Sequence, residues 1–92
     1  MKMKYFVNSS WINKFRIYHH THGPFESFKE ASIWMTKHVK ELASTCKVAD
    51  FEEENSEAFG HEIHMVVQNS IGEFATMRFE VASFEPAWET FK

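Results

Sequence analysis

Cysteine, proline, glycine and long apolar runs are all scarce in this 92-residue chain, and each scarcity removes a class of protein. A single cysteine excludes a disulfide scaffold, and two prolines with three glycines exclude linker-like and collagenous chains. There is no Gly-x-Gly-x-x-Gly turn, no phosphate loop and no Gly-x-Ser-x-Gly elbow, so a backbone phosphate cradle is not expected. No uninterrupted apolar run exceeds three residues, as in Tyr5-Phe6-Val7, Ile33-Trp34-Met35 and Met65-Val66-Val67. A membrane-spanning helix needs about 20 and a secretory signal at least about 7. The expectation is a protein that stays in a reducing cytoplasm and makes no membrane contact.

The composition that remains, 43% hydrophobic and 25% charged, suits one compact domain over residues 1–92. The aromatic share is high, with ten Phe, three Trp and two Tyr. A domain this small buries roughly 60–65% of its unfolded surface. That leaves room for one core and one or two functional patches, which favours a binding module over an enzyme.

Charge is divided unevenly along the chain. Residues 1–48 carry eight cations against Glu26, Glu30 and Glu41, a net of +5. Residues 49–92 carry Arg78 and Lys92 against ten acids, a net of −8, and the whole chain is at −3. Such asymmetry points to a charged partner.

The segment from Phe25 to Ser44 reads as a helix. Ser27-Phe28-Lys29-Glu30 has the form of a capping box, and Gly23-Pro24 supplies the turn before it. Phe28, Ala31, Met35, Val39 and Leu42 fall within an arc of about 80°. Lys29, Ile33, Lys37 and Lys40 share another such arc, with Trp34 on the shoulder near His38. Ile33 is expected in water among lysines, and beside Trp34 it marks a secondary interface, Lys29/Ile33/Trp34/Lys37.

Lys4–Val7 and Lys14–His19 read as strands, the second with Phe15, Ile17 and His19 on its buried side. Residues 50–57, Asp50-Phe51-Glu52-Glu53-Glu54-Asn55-Ser56-Glu57, are too charged to pack and read as an exposed loop. Two more strands follow, near Phe59–Gln68 and Glu73–Val81, joined by Asn69-Ser70-Ile71-Gly72. Ile63, Met65 and Val67 would share a face with Ala75, Met77, Phe79 and Val81. The expected fold is α+β, a single helix on a mostly antiparallel four-stranded sheet in the order β-β-α-β-β. Its second face, with Tyr18, Val66 and Phe74, would stay open or be covered in a homodimer. Pro86 argues against a central strand in the aromatic, acidic tail.

Three kinds of chemistry follow from these placements. His20, Glu62 and His64 form a His/Glu set acceptable to zinc if their strands adjoin, yet Gly60-His61-Glu62-Ile63-His64 is not a His-Glu-x-x-His motif. Surface histidines with no metal and no cofactor are the preferred reading. Cys46 lies past the helix end rather than at a helix N-terminus, the place that activates a thiol, so catalysis is not expected. Lysines of the helix and first hairpin could line a phosphate-facing strip, but a pI near 6.0 argues against direct nucleic-acid binding. The third class is a protein-binding inhibitor. Asp50, Glu52, Glu53, Glu54 and Glu57 would present a dense negative array flanked by Phe51, Phe59 and Trp88 as apolar anchors.

In size, in its Met-Lys start, in the lone capped helix after Gly23-Pro24-Phe25-Glu26-Ser27-Phe28, and in its acidic second half, the chain resembles small phage-encoded anti-defence proteins. These are the anti-restriction DNA mimics and anti-CRISPR inhibitors. The resemblance implies a non-catalytic blocker of a host nuclease or DNA/RNA-binding complex, acting in the host cytoplasm. Its partner would be a protein with a basic nucleic-acid-binding surface. With a basic first half, the acidic patch is one-sided.

Overall fold

In the computed structural model, which describes residues 3–56 and 60–84, α1 (Phe28–Ala43) begins where its capping chemistry places it. Ser27 is the N-cap, and its Oγ accepts from the Glu30 N–H at 3.1 Å. Glu30 reaches back to accept from the Glu26 N–H at 3.1 Å, so two N–H groups at the helix start are satisfied reciprocally. Ala31, Met35 and Val39 form the buried stripe.

The helix lies on one five-stranded sheet, fully antiparallel: β1 (Lys4–Ile12), β2 (Ile17–Phe25), β3 (Lys47–Ser56), β4 (Gly60–Gln68) and β5 (Phe74–Phe84). The spatial order is β2-β1-β5-β4-β3. This corrects the four-stranded β-β-α-β-β expectation. The additional strand is β3, formed by the segment whose charge density suggested a loop. An edge strand needs a partner on one side only, and β4 supplies that ladder while both faces of β3 stay wet.

Helix α1 packs over β1, β5 and β2. The core beneath it joins Val7 of β1, Ala75, Met77 and Phe79 of β5, and Ile63, Met65 and Val67 of β4. Strict alternation along β4 and β5 sends the other residues to the opposite face, as the pattern predicts. No β3 residue is buried, and the molecule is elongated, 53 × 26 × 20 Å.

The phase of β2 is the reverse of the expected one. Phe15 and Ile17 are 76% and 61% exposed at the tip of the first hairpin. Tyr18, His20 and His22 lie on the helix side instead. Gly23-Pro24 belongs to β2 rather than to a separate turn. The pair lies where β2 carries one residue more than β1 between the Tyr5–Phe25 and Val7–His22 pairs, a bulge in an edge strand, where proline is tolerated. Gly23 has φ +134°, and an added Cβ would meet the Tyr5 carbonyl oxygen at 3.0 Å. No helix among the described residues is long and apolar enough to cross a membrane.

Candidate functional site

Antiparallel pairing decides which carboxylates meet. In β3 a bulge at Ala49, between the Val48–Val67 and Asp50–Val66 pairs, sets the phase of everything that follows. From there Asp50, Glu52 and Glu54 stand opposite Val66, His64 and Glu62 on the sheet face away from the helix. Glu62 in turn stands opposite Glu80 of β5. Residues two apart on a strand are about 6.7 Å apart. The outer half of the open face is therefore a ladder of carboxylates, of which Asp50, Glu52 and Glu54 form no ion pair among the described residues.

One cation serves the inner rungs. The Nη2 group of Arg78 donates to Glu62 Oε1 at 2.6 Å and to Glu80 Oε2 at 3.1 Å. The hydrogen bond from Arg78 holds the Glu62 carboxyl below its usual range, the Arg78 and His64 charges adding to the effect and partial desolvation opposing it. The bond to Glu62, with the charge of Glu80, raises Arg78 in turn. Across the middle of β1 and β2 the same face carries uncharged polar side chains. There Ser10 Oγ lies 3.0 Å from His19 Nδ1, and Thr21 Oγ1 donates to Asn8 Oδ1 at 3.0 Å.

The expected site is thus brought together in part. Asp50, Glu52 and Glu54 share the open face, and Glu62 and Glu80, which the expected acidic site did not include, complete it. Glu53 and Phe51 point to the helix side, because they alternate with the other three. Glu53 Oε2 lies 2.7 Å from His61 Nε2. Glu57, Phe59 and Trp88 lie outside the described residues. Of the aromatic and apolar residues expected on the open face, Phe74 is 57% exposed and Val66 half-buried, whereas Tyr18 sits on the helix side.

The secondary interface divides in two. Lys29, Ile33 and Lys37 line a groove together with Lys40. Trp34 turns the other way, into a cluster with His22 and His38 at ring centroid distances of 4.7 and 4.8 Å. His20 and Phe79 flank that cluster. Burial lowers the His22 pKa, and the neighbouring His38 and His20 charges lower it further. The proposed zinc set is not assembled: β1 and β5 separate His20 from Glu62 and His64, which lie on the opposite face. Among the described residues no group of three or more His, Cys, Asp or Glu side chains is placed to hold a metal ion. Cys46 packs against the core and donates from Sγ to the Leu42 carbonyl at 3.0 Å.

No protein-family model, no curated protein and no solved structure matches the chain.

Proposed function

We propose that the protein is a non-catalytic binding module whose open acidic sheet face occupies the basic, nucleic-acid-binding surface of a protein partner and competes with nucleic acid there. The observation that carries this reading is the co-facial set Asp50, Glu52 and Glu54, without an ion pair among the described residues and extended inward by Glu62. A rigid β-ladder holds these charges at fixed spacing, of the order of that between successive phosphates on a nucleic-acid strand. Phe74 and Val66 on the same face supply apolar contact beside the charge. This is the mode of action implied by the likeness to anti-defence inhibitors, with a host nuclease or DNA/RNA-binding complex as the target class.

Such a surface accelerates encounter by electrostatic steering, an effect that fades once the screening length falls below about 8–10 Å. The test is capture of partners from a bacterial lysate on the immobilised chain, with duplex DNA as competitor. The reading requires basic nucleic-acid-binding proteins that salt elutes and DNA displaces, and that the triple variant Asp50→Lys, Glu52→Lys, Glu54→Lys no longer retains. Capture unchanged by the triple variant removes this face from the account. Direct gel shift of duplex DNA or RNA by the protein alone transfers the function to the lysine flank of α1.

A further inference from the structure

The helix leaves β3 uncovered on its own side of the sheet as well, and a groove of about 640 Å³ runs between α1 and the β3–β4 pair. Its helical wall carries Lys29, Lys37 and Lys40, none of which forms an ion pair among the described residues. Phe28 and Ile33 add apolar surface to that wall, and Ile33 is 59% exposed.

Two further lining residues are unusual. Ser32 Oγ and His61 Nδ1 are the buried side-chain polar atoms left without a hydrogen-bond partner among the described residues. His61 itself is 2% exposed. Buried polar atoms are nearly always paired, so two atoms in the walls of one groove that find no partner among the described residues suit a bound ligand there. The chemistry of His61 narrows what that ligand is. An ionised carboxylate only accepts hydrogen bonds, so at 2.7 Å from Glu53 it is Nε2 that carries the proton. Nδ1 is left either as an acceptor for a P–OH group or, in the imidazolium, as a donor to a P–O⁻ oxygen. Among the described residues Glu53 from β3 and the three lysines from α1 are the charged groups around this groove.

We propose that this groove binds a small organic phosphate monoester. Lys29, Lys37 and Lys40 attract its negative charge, Ser32 donates to it, His61 completes its hydrogen bonding, and the organic portion rests on Phe28 and Ile33. Three cations without an ion pair among the described residues set the sign of the ligand, the two orphaned atoms call for a polar, oxygen-rich group, and the apolar residues favour an ester over free phosphate.

The test is an NMR titration of the full chain with phenyl phosphate, inorganic phosphate and phenol, following the His61 ring and Ser32 amide resonances. Phenyl phosphate is expected to shift both saturably, inorganic phosphate to bind severalfold more weakly, and phenol to leave them unmoved. The paired variant Lys29→Gln, Lys37→Gln should weaken phenyl phosphate by about tenfold or more, and Ser32→Ala severalfold. Lys14→Gln, at the far hairpin tip, should change nothing. All four substituted side chains lie outside the core, so the fold survives each change. Absence of a saturable His61 shift, equal binding of inorganic phosphate, or equal weakening by Lys14→Gln overturns the proposal. Asp50, Glu52 and Glu54 take no part, so it stands or falls apart from the acidic face.

Discussion

Replacing Arg78 with methionine removes the cation between Glu62 and Glu80 while keeping an unbranched apolar stem. Two partly exposed ion pairs are lost, each worth about 0.2–1 kcal/mol after screening by solvent. The variant also leaves Glu62 and Glu80 directly opposed across the β4–β5 ladder, a like-charge pair costing a further 0.2–1 kcal/mol or so. The expected loss is about 1 kcal/mol at neutral pH. With an unfolding slope of about 2 kcal/mol per molar urea, the midpoint drops by about 0.5 M. Because Arg78 depresses the Glu62 pKa, its stabilisation is complete above the ordinary carboxyl value of 4.5 and is lost as pH falls through the lower folded value. The gap between wild type and variant should therefore be full at neutral pH, close in acid, and shrink in about 1 M salt, where the screening length is near 3 Å. Urea titrations monitored by circular dichroism at the two pH values and two salt levels decide it. A gap of constant size across all conditions would falsify the electrostatic argument and assign the loss to packing of the arginine stem. The same variant makes the open face more negative, so captured partners should need more salt for elution than with wild type.

Two other perturbations probe the core and the histidine cluster. Met35→Ala, at a fully buried position on the sheet-facing stripe of α1, should cost about 2–5 kcal/mol, read as a fall in thermal midpoint; a loss under about 1 kcal/mol means the site collapses around the gap. For His22 the lowered folded pKa means that stability is complete above 6.5 and declines as pH falls toward the folded value. Between about pH 7.5 and pH 5.5 the wild-type urea midpoint should fall, and His22→Phe should flatten that slope; an equal slope in the variant places the proton uptake elsewhere.

The helix was legible because its start and its stripe agree: a capping box at Ser27 and Glu30, then apolar residues at helical spacing through Leu42. The alternation in Ile63–Val67 and Ala75–Val81 was equally plain, since each residue type matches the face it takes. Strand β3 was hidden because Glu52-Glu53-Glu54 has neither alternation nor apolar content. What makes it a strand is the neighbouring edge of β4, a tertiary cause with no local trace. That omission propagated. Without β3 and its bulge at Ala49, the array from Asp50 to Glu57 looked like one patch, whereas pairing sends Glu53 to His61 and draws Glu62 into the open face. The sequence did show His61 and Glu62 on opposite sides of a strand, and register with β3 was the missing step. The reversed phase of β2 has a similar origin. Its groove-facing side is Tyr18, His20 and His22, polar enough to pass for solvent-facing, while Phe15 and Ile17 stand exposed at the hairpin tip.

An outermost strand that lends the interior a single carboxylate is nearly free to be rewritten. Apart from Glu53, which holds the buried His61, substitutions from Lys47 to Asn55 meet water and leave the apolar cluster under the helix intact, so they are screened for pairing with β4 and little else. Variation at these positions can track a changing target at small structural cost, and natural variants should differ there before they differ at Met35, Ile63 or Phe79.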